Sequence, residues 1–349
     1  MKRLDLVETL NAVGKPPETW ESTDGTSVLV LPHGGRLLGL FAPGVSENFF
    51  WTHPALFKEE TARAFFLGTQ WHNSGGERTW LAPEVDFFYP KFPDMSTYWQ
   101  QRELDPGCYE ASRKDGALDW TSYARLKQYR TKRTIDLRIT KSLAPALNPL
   151  RYDRNEEDSA IQYAGFTLRT TLQLMDADAP AQVGLWQLTQ LPHGGDMLVP
   201  TFFRSEPKVY MGTIGREDLI VKDHLIRYRM RAAGEHKLGV RATAVIGRIG
   251  YLYKVGDETS LVIRNFSVNP SGEYIDVPAS EIGNLGFAFQ ACNVNSSLGA
   301  FSEMEYHVPA TGSPEGRSRS QDQSQLWAFR GSEPMIRSVA RRLLSPEIE

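Results

Sequence analysis

The sequence predicts an all-β protein, a sandwich or barrel built from many short strands. The first observation behind this is a period-two alternation of apolar and polar residues along most of the chain. The second is that Gly, Pro, Asn or Asp punctuates most gaps between the alternating runs. The third is that helical spacing is scarce, which argues against alternating strand–helix units.

Ser27-Val28-Leu29-Val30-Leu31 reads as a strand, and His33-Gly34-Gly35 turns the chain into Arg36–Phe41, giving an opening hairpin. A short helix is expected over 57–66. Ile135, Leu137 and Ile139 alternate with Asp136, Arg138 and Thr140. Further strands are expected at 166–175, 182–190, 225–231, 238–245, 249–254, 260–267, 284–292 and 301–308. The polar stretch 311–325 lacks large apolar residues and is expected as an exposed loop before a final strand and helix. Met335, Ile336, Val339, Ala340, Leu343 and Leu344 then fall at helical spacing over 333–344, with Ser332 as the cap. Residues 1–24 read as an N-terminal extension, and 25–349 as one domain.

Composition narrows the function. The 349 residues are 41% hydrophobic, enough to bury a large core. The 39 basic and 42 acidic residues leave a net charge of −3, so nucleic acid is not an expected partner. Cys108 and Cys292 make no disulfide framework and form no CxxC pair. The seven histidines show no ligand spacing, so neither metal nor cofactor is expected. There is no Walker loop, GxGxxG, HExxH or GxSxG. No apolar run approaches the length of a membrane span, and acids interrupt the first apolar residues. A soluble, cytoplasmic protein is the expectation.

Residues 49–109 hold 15 of the 38 aromatics, and within them lies the most specific segment, Gly75-Gly76-Glu77-Arg78-Thr79-Trp80-Leu81-Ala82-Pro83-Glu84. Two glycines permit a tight turn, after which Glu77, Arg78 and Glu84 bracket the Trp80 indole. Charged groups that hydrogen-bond hydroxyls, beside an aromatic face that packs on C–H bonds, are the usual means of holding a polyol. A structural loop with an internal Glu–Arg pair is the alternative. In Phe301-Ser302-Glu303-Met304-Glu305-Tyr306-His307, the residues Phe301, Glu303, Glu305 and His307 share one strand face, offering a base and an acid. A solvated outer face is the alternative there. The strand carrying Trp186 ends in Pro192-His193-Gly194-Gly195, which places His193 at a strand end as a proton carrier or a surface residue. His72, in Gln70-Trp71-His72-Asn73, is a weaker candidate. Arg227, Arg229 and Arg231 make a basic strand face that would suit an acidic sugar or stay solvated, and 125–141 carries seven bases and one acid.

Val28–Leu40 with its Gly-Gly turn, followed by Glu47-Asn48-Phe49-Phe50-Trp51, resembles the opening of galactose mutarotase-like proteins. Gly75–Glu84 is similar to the GG(D/E)(R/K)-W-PE signature of bacterial branches of that superfamily. Glu303-Met304-Glu305-Tyr306 with Pro309 resembles their late strand. The likeness spans about residues 25–310. It implies a β-supersandwich with a concave carbohydrate-binding face. It also implies aldose 1-epimerase-like chemistry, in which a glutamate deprotonates the anomeric hydroxyl and a histidine protonates the ring oxygen. Glu305 or Glu303 then matches the glutamate and His193 the histidine, with Glu77, Arg78, Trp80, Glu84, His72, Trp186 and Arg227 as sugar-binding candidates. The asparagine–histidine run of the epimerases is not present. A glycosidase or polysaccharide lyase, and a non-catalytic sugar-binding protein, are the other readings.

Overall fold

A computed structural model describes residues 2–114, 117–152, 160–176, 181–312 and 317–349. Its strands form two antiparallel sheets. In order across the nine-stranded sheet lie β1 (Glu18–Glu21), β2 (Ser27–Leu31), β3 (Arg36–Phe41), β4 (Glu77–Ala82), β9 (Gly184–Pro192), β18 (Gly299–His307), β17 (Phe287–Ser296), β14 (Gly234–Arg241) and β11 (Lys208–Met211). The ten-stranded sheet begins with β12 (Leu219–Val221), β13 (Leu225–Arg229), β10 (Asp196–Pro200), β15 (Arg248–Val255) and β16 (Glu258–Asn265). It continues with β19 (Arg319–Gly331), β8 (Gln162–Leu174), β7 (Arg133–Pro145), β6 (Ala117–Gln128) and β5 (Tyr109–Lys114). Helices α1 (Arg3–Ala12), α2 (Glu59–Leu67), the single turn α3 (Glu84–Phe87) and α4 (Glu333–Leu343) pack around them. Among the described residues no helix is long and apolar enough to cross a membrane.

The expected hairpin is β2 and β3, paired antiparallel with a bulge at Leu29/Val30. Both strands are buried on both faces. Val28, Val30, Leu37 and Leu40 enter the core between the sheets, while Leu29, Leu31, Leu38 and Phe41 meet α1 and α2 through Leu6, Leu10, Ala62 and Phe65. Residues 1–24 thus supply α1 and β1 to the same body, since β1 continues the sheet beside β2. Strands β6 and β7 keep strict alternation, with Leu118, Trp120, Leu126, Ile135, Leu137 and Ile139 inward. Helix α4 runs one residue short of the expected 333–344. It covers the outer face of the ten-stranded sheet, setting Ile336, Val339 and Ala340 against Leu252, Leu261, Ile263 and Phe329. Helix α2 starts later than expected because Pro54–Phe57 forms its own tight turn, capped by the His53 side chain.

The stretch 311–325 departs from expectation. Residues 313–316 lie outside the described set, but from Arg319 onward the chain is β19, paired with β8 along its length up to Arg330. Its first half, 319–325, forms without large apolar residues because its inward side chains find polar partners, and Leu326, Trp327 and Phe329 continue it into the core. Asp322 accepts from the Tyr306 hydroxyl at 2.6 Å, and Ser324 accepts from Arg264 at 3.1 Å. Arg264 also pairs with Glu77 and donates to Thr189 at 3.0 Å, all inside the sandwich.

Glu77 and Arg264 are both fully buried, so removing one leaves the other uncompensated. Arg264→Leu is expected to destabilise the protein by about 3–5 kcal/mol, and Glu77→Leu with Arg264→Leu to recover much of that. Denaturant midpoints measure both; a loss below about 1 kcal/mol for the single change would show the pair to be unimportant.

Candidate functional site

Adjacent residues of a strand face opposite ways, and the nine-stranded sheet has a face turned away from its partner sheet. That outer face forms the floor of a cleft of about 700 Å³, within the range of ligand sites. Register decides what is there. Trp80 lies opposite Trp186, Gln190 opposite Glu303, Glu303 opposite Cys292, and Cys292 opposite Lys237. Residues directly opposite share a face, so β4, β9, β18, β17 and β14 place one row of side chains in the cleft.

The glycine pair sets the start of β4. Gly75 and Gly76 have φ of +101° and +70°, and a Cβ on either would collide with the Trp51 or Leu37 carbonyl. This close passage puts Arg78 and Trp80 on the cleft side and Glu77 on the core side. Asp105 then accepts from the Trp71 and Trp80 indole nitrogens at 2.9 and 2.8 Å, and from Arg36 at 3.2 Å, fixing both rings. The Arg78 guanidinium stacks over Trp80 at 4.0 Å and Trp71 at 5.1 Å, and donates to Glu303 Oε1 at 2.7 Å. Gln190 donates to the same oxygen at 3.0 Å.

Beside this pair stands a second. Glu305 Oε2 accepts from the Trp186 indole at 2.9 Å and lies 3.3 Å from Lys237 Nζ, while its Oε1 is buried without a partner. Lys237 sits 4.3 Å above the Trp186 ring and 3.6 Å from Glu84. The cis Ala82–Pro83 bond leads from β4 into α3, whose Glu84 amide donates to Asp276 at 2.7 Å. Burial, partly opposed by Lys237, pushes the Glu305 carboxyl up to about 7. Burial works against the Lys237 ammonium, yet Glu305, Glu84 and Asp276 outweigh it and raise its pKa. Behind Trp186, His307 stacks on the indole at 5.4 Å, and burial brings it down to about 4, so it is neutral.

The cleft therefore gathers Glu303, Glu305, Arg78, Trp80, Glu84 and Trp186 from the sequence candidates. It does not include the others. Glu77 faces the core with Arg264. His193, in the turn after β9, hydrogen-bonds Asn293 at 3.0 Å. His72 meets His33 at 3.1 Å and packs on Phe65 and Phe66. Arg227 belongs to the other sheet and pairs with Asp196 at 2.5 Å. Sequence reasoning missed Lys237 and Tyr210; Glu235 and Lys237 do alternate into the cleft, but a lone lysine in a strand carries no distinctive signal.

Cys292 Sγ and oxygens of Glu303 and Glu305 lie within 4.8 Å of one another, the one such group of possible metal ligands among the described residues. Arg78 and Lys237 already neutralise the two carboxylates, and burial beside them raises the Cys292 pKa, so the set suits a metal ion poorly.

No protein family matches the sequence, and no curated protein is similar to it. Among solved structures, a protein of Synechocystis sp. PCC 6803 superposes with a TM-score of 0.50 at 10% identity, covering 91% of this chain and 96% of that one. An aldose epimerase homologue from C. elegans gives 0.42 at 8% identity, over 91% and 99% of the two chains. A galactose 1-epimerase from Lactobacillus acidophilus gives 0.41 at 9%, over 90% and 93%. The likeness to the Synechocystis protein is one of fold alone, a sandwich of two antiparallel sheets.

Because folding raises the Glu305 pKa above its ordinary 4.5, the folded protein holds a proton that the unfolded chain releases. The resulting stabilisation is complete below pH 4.5 and is lost as pH rises to about 7. Glu305→Gln is expected to flatten the decline of melting temperature across that interval. Parallel melting profiles of variant and wild type would contradict the assignment.

Proposed function

We propose that the cleft binds a sugar and interconverts its anomers, with Glu305 as proton acceptor and Lys237 as proton donor. The observation that carries this is the 3.3 Å separation of Lys237 Nζ and Glu305 Oε2 beside an unpartnered Glu305 Oε1, among indole faces. The two oxygens on an anomeric carbon are close neighbours, and an adjacent donor and acceptor can engage both at once.

The Glu305 carboxylate takes the proton of the anomeric hydroxyl, whose oxygen becomes a carbonyl. The bond from the anomeric carbon to the ring oxygen breaks, its electron pair stays on that oxygen, and Lys237 Nζ supplies the proton. The open chain rotates about the bond next to its carbonyl carbon, and the steps reverse on the other face: Lys237 Nζ takes back the proton of the ring-closing hydroxyl, and Glu305 returns its proton to the carbonyl oxygen. A carboxyl raised to about 7 is a stronger base than an ordinary glutamate, with about half of it ionised at neutral pH. Arg78, held by Glu303, and the Trp80 and Trp186 rings position the sugar. In this reading Lys237 takes the part expected of His193.

Hydrolysis is less well supported, because Glu303 and Glu305 project side by side from one strand rather than across a bond. A lyase is also less well supported, because the Arg227–Arg231 face lies on the other sheet, with Arg227 and Arg231 both held by Asp196.

Exchange NMR of anomer signals, run over a panel of free aldoses, tests the reading. Wild-type protein is expected to accelerate exchange of at least one aldose, and Glu305→Gln and Lys237→Met each to lower that rate by about 10²–10⁴. Exchange no faster than in buffer across the panel, or variants as fast as wild type, would refute it.

A further inference from the structure

The cleft changes character from floor to mouth. On the floor, Glu84, Glu235, Glu303 and Glu305 face only two cations, Arg78 and Lys237. Both cations are already paired, Arg78 with Glu303 and Lys237 with Glu305, so the floor offers no spare positive charge to a phosphate or carboxylate on the sugar. The mouth is apolar and comes from separate parts of the chain. Met95 and Tyr98 belong to the loop after α3, Met211 ends β11, and Leu298 tips the turn between β17 and β18.

These four mouth residues are 43%, 36%, 41% and 42% exposed, although each is a large apolar or aromatic side chain. Scattered exposed apolar residues are ordinary, but four that ring one opening mark a surface that something covers. A single sugar ring seated among Glu305, Lys237 and Trp186 leaves them in water, since its hydroxyls are matched by the polar floor. Methionine adapts to irregular apolar shapes, and two of the four are methionines.

We infer that the ligand is an uncharged sugar with a free anomeric centre that carries an apolar substituent, an acyl or aryl group, at a position remote from that centre. The inference rests on the anomer-exchange reading of the floor. The sugar meets the floor, and the substituent passes out between Met95, Tyr98, Met211 and Leu298. Each methylene that leaves water there strengthens binding by about fourfold.

The test is calorimetric titration of the whole protein with D-glucose and D-galactose, their 6-O-octanoyl esters below micelle-forming concentration, maltose, lactose and octanol. An ester is expected to bind at least tenfold tighter than its parent hexose, and a Met211→Ser, Leu298→Ser double variant to narrow that ratio. Anomer exchange with equal affinity for ester and hexose would overturn the inference and leave the function standing. Preference for the disaccharides over the esters would overturn it in favour of a second sugar ring. Octanol binding as tightly as the esters would remove the sugar reading instead, and no binding by any probe would remove both.

Discussion

A sheet covered on both faces gives its charged side chains no solvent, so each must meet an opposite charge inside the protein. That constraint governs the nine-stranded sheet. Glu77 turns inward and finds Arg264 on the facing sheet; its neighbour Arg78 turns outward and finds Glu303. Lys237 is shared by Glu305 and Glu84. Such pairs gain little net stability against apolar replacements, and their worth lies in fixing which side chain faces where. In the cleft they do something more, because the same pairing leaves Glu305 with one oxygen uncommitted and a cation alongside.

The electrostatic character of the cleft follows from its construction. Burial raises Glu305, and the surrounding carboxylates raise Lys237, so the pair is biased towards keeping its protons at neutral pH. Trp186 contributes twice, with its indole nitrogen on the carboxylate and its ring beneath the ammonium. A proton-transfer site assembled in this way needs no histidine in the cleft, and the neutral, buried His307 serves as packing behind the indole.

Much of the fold was legible in the sequence because alternation is a local signal. Strand β7 buries every second residue, as the alternation of Ile135, Leu137 and Ile139 predicted, and the row of Phe301, Glu303 and Glu305 was readable on the same principle. Legibility failed where both faces are buried. All six residues of β4 are inaccessible, so no polar–apolar alternation remains to say that Arg78 belongs to the cleft and Glu77 to the core. Lys237 reaches Glu305 only through the register of β14 on β17 and of β17 on β18, a relation between distant segments. His193 sits in a turn, where side-chain direction depends on the turn itself. The first half of β19 was missed for a related reason: its inward positions hold Asp322 and Ser324, polar residues whose partners come from other strands.

Floor and mouth also differ in what holds them. Arg78, Trp186, Glu303, Glu305 and Lys237 stand on four strands, β4, β9, β18 and β14, joined in one sheet through β17, so a residue inserted in any of them would turn part of the row over and dismantle it. Met95, Tyr98 and Leu298 stand on a loop and a turn, where insertions are readily absorbed. Descendants of such a protein can therefore diversify in what they admit while inheriting the floor unaltered, and related chains should differ in length around residues 89–98 and 297–298 well before they differ along β18.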